Sequence, residues 1–502
     1  MRGVSDQIVL GAACTGPPGS AAVAGGSHHT VLAAAEVLAS GGNSVDAAIA
    51  GMCAAAVAEP VLTSPGGGGF LLHAPLHHEP TYLDFFVNIP GLGAHPHARK
   101  AEITSVPITF GALDNPQAQQ IFHAGWAAVA VPGALAGYLK AHQRWGRLQL
   151  RDVLRPACRM ASAGLRLELA QQDFLRLVID VLCLTPASAE LYRQALTNGH
   201  FANPQYAALL ERLSHDSAEA MTEWNDLLVA EMAVHGGLVT AEDLTHYNAI
   251  AREPVFTSRG GHRVWTNPPP SFGGTIVRDA LAQIPISSSV DWVAVTQSLR
   301  DATSRQRARD INDGATQVSR GTTHITVVDS DGCMVACTTS NGSSSGTQVS
   351  GVQLNNMLGE DDLIPSGLQS LSAGQRMGSM MTPTLVDHAD GTRIAFGTGG
   401  SERIRSATVC TLINLLDLDM PLPQSIAQGR VHASQTSIDI EPPIDPMPFA
   451  TAEADGLELR VWPSQDLFFG GVHAVSRAPD GSLHAVGDAR RGGTAAIIRP
   501  GP

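Results

Sequence analysis

Gly321-Thr322-Thr323-His324 opens a β-branched run, His324-Ile325-Thr326-Val327-Val328, which passes through Asp329-Ser330-Asp331-Gly332 into a second run from Met334 to Thr339. Two extended apolar runs joined by an Asp/Gly turn predict a β-hairpin. The hairpin is apolar enough to be central in a sheet, so the threonine pair stands at the start of a rigid core strand. If the Gly321–Thr322 bond breaks, Thr322 gains a free α-amine beside its own hydroxyl, and nucleophile and general base then sit in one residue. An α-amine titrates at about 7.7 to 8.0, close to the pH at which a general base is most useful. The competing reading is of ordinary strand residues after a loop glycine, because β-branched side chains suit pleated sheets. The rest of the chain decides between the two.

With 502 residues, 44% of them hydrophobic, the chain can bury a large core. Its net charge is −14, Lys100 and Lys140 are its only lysines, and it has no basic run, so nucleic acid is not an expected partner. Met1 to Gly26 lacks the apolar stretch of a secretory signal, which predicts a cytoplasmic protein. The longest apolar helix, Val45 to Val57, is too short for the ~20 residues of a membrane span. Seven scattered cysteines, an odd number, read as reduced, partly buried thiols.

Apolar spacing predicts helices over His29 to Ala39, Ser44 to Glu59, Ala134 to Trp145 and near Ser406 to Leu416, with residues 150 to 250 mostly helical. Phe70 to Leu72 and Thr81 to Phe86 read as strands, and the stretch from Pro270 to Arg320 as irregular. The Gly66 to Gly69 run is followed by a strand and lacks a Gly-Lys-Ser/Thr, so a structural bend is expected and not a phosphate cradle. Gly342-Ser343-Ser344-Ser345-Gly346 fits a nucleophile elbow only in letters, because Thr347 to Val352 reads as extended where an elbow requires a helix. His73, His77, His78, Glu79, His95 and His97 crowd one region at metal-ligand spacings, but the prolines and loop character there favour solvent-exposed histidines and no metal. No cofactor is expected.

Several blocks in fixed order resemble the γ-glutamyltransferase family of N-terminal nucleophile hydrolases. They are Gly41-Gly42-Asn43-Ser44-Val45-Asp46, Pro65 to Phe70, Val131-Pro132-Gly133, Pro268 to Gly274, Thr322-Thr323-His324, Leu354-Asn355-Asn356, Met381-Thr382-Pro383-Thr384, Gly399-Gly400-Ser401 and Asp488 to Gly493. The resemblance implies an α+β fold, a four-layer αββα sandwich, cut between Gly321 and Thr322 into a large subunit, 1–321, and a small one, 322–502. These would form one globular unit, with a dimer of such units left open. It also implies that Thr322 cleaves its own preceding bond and then forms an acyl-enzyme with a small-molecule amide, with the N–H groups of Gly399 and Gly400 stabilising the oxyanion. Ser340 falls where the family carries a second threonine that contacts the nucleophile's amine.

Recognition is where the chain departs from the family. In Leu83-Asp84-Phe85-Phe86-Val87 the arginine that pairs with a glutamyl carboxylate is replaced by Phe86, which removes a charge-assisted contact. The family's serine pair is reduced to Ser379, its amine-binding carboxylate falls on Asp361 or Asp362, and Asn341 stands one residue from its expected place. The reading is an autoprocessed amide hydrolase whose substrate is not an ordinary γ-glutamyl amide. Two alternatives stay open: a true γ-glutamyltransferase or glutathione hydrolase that binds through other residues, and a silent homologue serving as a binding or scaffold protein.

Overall fold

The computed structural model describes residues 7–94, 103–109, 119–310, 321–359, 372–450 and 456–500. Its frame is two antiparallel sheets. In the first, eight strands run in the order Ile8–Gly11, Thr494–Ile498, Ala21–Gly25, Gly321–Val328, Met334–Gly342, Gly68–Ala74, Thr81–Asp84 and Ile250–Arg252. The predicted hairpin occupies the middle of this sheet, with both of its strands buried along their whole length. The second sheet has seven strands, ordered Val255–Arg259, His262–Thr266, Thr384–Asp387, Arg393–Gly399, Gly471–Arg477, Leu483–Gly487 and Ala13–Gly16.

Side-chain alternation along the central strand sorts its residues between two environments. Ile325 and Val327 join an apolar cluster with the helices His28–Ala39 and Ser44–Ala58. On the opposite face Thr326 donates a hydrogen bond to the His473 carbonyl of the second sheet at 2.9 Å. A separate cluster lies between the sheets, joining Leu72, Val328 and Ala336 to Trp265, Leu385 and Val475. A third joins the outer face of the second sheet, through Val264, Phe396 and Val472, to the helices Gly273–Leu281 and Arg403–Leu416.

The helix Ser44–Ala58 is apolar all round, and every one of its residues is buried, as such a composition demands. Asn43 and Asp46 form a reciprocal capping box at its start. Gly51 allows the helix to approach the central strand, since a Cβ there would lie 2.4 Å from Ile325 Cδ1. The four glycines 66–69 behave as a bend and strand start pressed against other backbone. A Cβ on Gly67 would come within 2.1 Å of the Ser340 carbonyl oxygen, and one on Gly69 within 2.3 Å of the Thr338 carbonyl oxygen.

Three expectations need correction. The stretch after Pro270 is not irregular: it holds the helices Gly273–Leu281 and Trp292–Asp310. The glycine pair that obscured the first helix is a packing requirement, because a Gly273 Cβ would sit 2.1 Å from the Met380 carbonyl oxygen. Thr347 to Val352 is not one extended run but two short paired strands, Gln348–Val349 and Val352–Gln353, reversed at Ser350 and Gly351, both at positive φ. His73 is not solvent-exposed. It is half-buried and stacked on Trp145 at 4.4 Å, which pushes its pKa down to about 4 through desolvation and the nearby Arg144. His77 and His78 are exposed; His95 and His97 lie outside the described residues. The cysteines are free, and among the described residues no helix is long and apolar enough to cross a membrane and no group of side chains could hold a metal.

Candidate active site

The pairing of the central hairpin is regular from Val328 back to Thr323 and then shifts. Gly321 stands opposite Gly342 and Thr323 opposite Thr339, so Ser340 and Asn341 together face the single residue Thr322. This is a β-bulge, a device that re-aims side chains at the end of a strand. The bulge turns Ser340 Oγ onto the Gly321 carbonyl oxygen, to which it donates at 2.6 Å, while the same oxygen of Ser340 accepts from the Gly342 N–H at 3.0 Å. The carbonyl of the Gly321–Thr322 bond is therefore polarised by a hydroxyl held in place from behind.

Thr322 is 5% exposed. Its backbone lies against Gly399 at the end of the Arg393–Gly399 strand, where a Cβ would come within 2.1 Å of the Thr322 carbonyl oxygen. Gly400 adopts φ +134, a conformation that favours glycine. Gly321 is equally constrained: a Cβ would lie 2.6 Å from the Val61 carbonyl oxygen. Sequence-predicted Gly321, Thr322, Ser340, Asn341, Gly399 and Gly400 are thus gathered at one corner between the sheets. Asn341 is fully buried, and neither its amide nitrogen nor its amide oxygen has a hydrogen-bond partner.

His324 lies on the same strand between the sheets, with Nδ1 2.8 Å from Thr338 Oγ1 and Nε2 2.8 Å from Thr326 Oγ1. Burial and the neighbouring His473 hold its pKa well below the usual histidine range, so it is a neutral core residue. On the helix side, Thr323 donates to Glu59 Oε2 at 2.5 Å and Thr30 donates to Oε1 at 2.6 Å. Desolvation pushes the Glu59 carboxyl up to about 7 despite these two hydroxyls. Sequence reasoning did not single out Glu59, which closes a helix rather than a motif.

The segment Asp488 to Gly493 packs beside Gly399. Asp488 accepts from Arg430 at 2.6 Å, and Arg490 pairs with Glu441 at 2.7 Å and with Asp488 at 3.3 Å, all four side chains being almost fully buried. Arg491, 5% exposed, has no such pairing. Its Nε donates to the Leu467 carbonyl at 3.1 Å, its guanidinium lies 5.6 Å from the Phe174 ring centroid, and Nη1 has no acceptor. Sequence reading quoted Arg491 within a block but gave it no role; the signal available was a second arginine beside a glycine pair.

Phe86 lies in a different environment. It is 1% exposed, stacked on Phe70 at 5.7 Å, and clustered with Met357, Leu358, Met377, Met381 and Ile404. Its backbone is pinned on both sides: the N–H donates to Asp84 Oδ1 at 3.0 Å, and the carbonyl accepts from Tyr247 Oη at 2.7 Å and from Arg376 Nη1. Arg376 is committed there, with Nε 3.6 Å from Asp84 and Nη2 donating to the Asn248 carbonyl at 2.5 Å. Ser379 is used for structure as well: its Oγ accepts from the Met381 N–H at 3.1 Å, and its carbonyl accepts from Ser271, Phe272 and Gly273. Asp361 and Asp362 lie outside the described residues.

The rival nucleophile has no support. Ser344 is fully buried at φ +73, and its Oγ accepts from the Gly346 N–H at 3.0 Å, a turn bond, with no hydrogen bond to a histidine or carboxylate among the described residues. Asn355 and Asn356 are brackets: Asn355 Nδ2 donates to the Gly66 carbonyl at 2.8 Å and Asn356 Nδ2 to the His123 carbonyl at 2.9 Å. An open groove of about 830 Å³, lined by residues such as Arg212, His215 and Gln348, contains none of the corner residues.

A gamma-glutamyltranspeptidase family model matches residues 30–285 and 287–498. The Acylase ACY 1 proenzyme of Pseudomonas sp. (strain V22) is 27% identical, over 91% of this chain and 89% of its own length. The glutathione hydrolase proenzyme of Pseudomonas aeruginosa is 26% identical, over 91% of this chain and 90% of its own. The cephalosporin acylase of Bacillus halodurans shares the fold, with a TM-score of 0.74 over 96% of both chains at 22% identity.

Proposed function

The chain belongs to the gamma-glutamyltranspeptidase family, and on that premise we propose that it is an autoprocessed amide hydrolase acting through Thr322. The observation that carries this reading is the Ser340 hydroxyl on the Gly321 carbonyl, at the bulge that places Thr322 against Gly399. In the precursor, Thr322 Oγ attacks the Gly321 carbonyl carbon, whose oxygen Ser340 stabilises as charge develops. The C–N bond breaks as the amide nitrogen takes up a proton. Water then hydrolyses the ester, leaving chains 1–321 and 322–502 and a free Thr322 amine. Two of the relatives are themselves proenzymes, which supports processing of this kind.

In the mature enzyme the amine accepts the Thr322 hydroxyl proton as Oγ attacks the substrate amide. N–H groups of Gly399 and Gly400 face the oxyanion, the amine product leaves with the proton, and water resolves the acyl-enzyme. Asn341, with an open amide beside the nucleophile, is the residue best suited to hold a polar atom of the acyl group. We assign the core to the four-layer αββα sandwich of N-terminal nucleophile hydrolases, supported by the three separate apolar clusters.

Phe86 favours an acylase-type substrate over a γ-glutamyl one, since its apolar cluster offers no cation to a carboxylate. The relative named glutathione hydrolase keeps the second reading alive. Intact mass with N-terminal sequencing tests the nucleophile. A small chain beginning Thr322-Thr323-His324 is expected, and a purified protein that stays in one piece would count for a silent homologue. Turnover of γ-glutamyl-4-nitroanilide would decide for the glutathione hydrolase reading.

A further inference from the structure

We propose that Arg491 receives a carboxylate carried by the acyl part of the substrate, on the Gly399–Gly400 side of Thr322; this assignment rests on the amide hydrolase reading above. Of the arginines buried in this corner, Arg430, Arg490 and Arg491 differ in one respect. Arg430 and Arg490 are matched by Asp488 and Glu441, with their remaining N–H groups on backbone carbonyls. Arg491 keeps one backbone bond and no carboxylate reaches ion-pair distance, although Asp488, Asp466 and Glu59 act on it from farther away. Asp488 is engaged by its two arginines, Asp466 accepts from the Phe468 N–H, and Glu59 is held by two threonine hydroxyls. A buried guanidinium with an open N–H is costly unless an anion completes it.

Its direction identifies the place of that anion. Nη1 lies 3.2 Å from the point a Gly399 Cβ would occupy, the same point that is 2.1 Å from the Thr322 carbonyl oxygen, and Nη2 lies 3.5 Å from the corresponding point on Gly400. The edge of the guanidinium thus runs along the two glycines beside the nucleophile, neither of which carries a side chain to stand between them. Burial beside Arg403 pushes Arg491 down to about 10, which still leaves it charged at neutral pH. The planar fork suits a carboxylate. The cation that position 86 lacks is supplied from the turn Ala489–Arg491, which joins the strand Leu483–Gly487 of one sheet to Thr494–Ile498 of the other.

Calorimetric titration of the full-length protein with succinate, glutarate and adipate, each against its diamide, reads the site without turnover. In the wild type at least one diacid should bind about tenfold or more tighter than its diamide, the loss expected for a single charge-assisted bond. Arg491→Lys should keep part of that preference, and Arg491→Gln should abolish it. Equal binding of diacids and diamides, or a preference that survives in Arg491→Gln, overturns the proposal. If Arg491→Gln does not fold, the wild-type pairs and Arg491→Lys still decide. In turnover, the ratio of kcat/KM for succinyl- over butyryl-4-nitroanilide should fall at least about tenfold in Arg491→Gln. A parallel fall for both substrates would place Arg491 on the oxyanion and overturn the carboxylate assignment. An uncut protein that binds diacids through Arg491 would sink the Thr322 reading alone, and a cut protein without diacid preference would sink this one alone.

Discussion

The two ends of the proposed site are made differently. Around Thr322 the contacts are backbone on backbone or one hydroxyl on one carbonyl: Gly399 against the Thr322 oxygen, Gly321 against Val61, Ser340 on the Gly321 carbonyl. Around Phe86 they are side chain on side chain, a stacked ring among methionines. A backbone contact has no room for even a methyl group, whereas an apolar cluster exchanges residues of similar volume for less than about 1.5 kcal/mol. A chain can therefore alter what it recognises while the geometry of its chemistry stays rigid.

The hardest test of that contrast is at the chemical end. Thr322→Ala should abolish self-cleavage and amide hydrolysis, read by intact mass and by 4-nitroanilide release, while Ser344→Ala leaves both in place. A dead Ser344→Ala protein would move the nucleophile to the turn that follows the strand Met334–Gly342. Ser340→Ala should slow self-cleavage by about a hundredfold or more, the cost of one oxyanion donor, in a time course of chain separation. Unchanged kinetics would mean that the 2.6 Å bond only holds the bulge together.

Glu59 sharpens the comparison through stability. Its carboxyl binds a proton more tightly in the folded state, at about 7 against an ordinary 4.5, so its ionisation costs the fold on the order of a few kcal/mol. That cost is absent below about pH 4.5, grows as pH rises, and is complete above about pH 7. Denaturant titrations of Glu59→Gln should show a flatter pH dependence across this window; identical slopes for both proteins would place the titration elsewhere. The smallest effect belongs to the recognition end. Phe86→Leu should cost about 1 kcal/mol in denaturant unfolding and leave self-cleavage proceeding, and loss of cleavage would show that the two ends are coupled.

Legibility in the sequence followed how local each signal was. The helix Ala134–Trp145 and the central hairpin were readable from periodicity and a turn, because both rest on neighbouring residues. The helices Gly273–Leu281 and Trp292–Asp310 were not, since one begins at a glycine pair required by the distant Met380 backbone and the other lacks strong apolar periodicity. Phe86 was readable as a departure from a pattern, but the commitment of Arg376 to its carbonyl was not.

Sequence alone determined that a threonine beginning a core strand would be both nucleophile and future N-terminus in the proposed chemistry, because hydroxyl and amine belong to one residue. It also marked the Gly66 to Gly69 run as a bend, although not why those positions exclude a side chain. Tertiary structure decided the rest: the bulge that sets Ser340 and Asn341 together against Thr322, the carboxyl of Glu59 under Thr323, and the contrast between paired Arg490 and unpaired Arg491. Charge compensation and backbone clearance depend on distances between segments hundreds of residues apart, and no local pattern carries them.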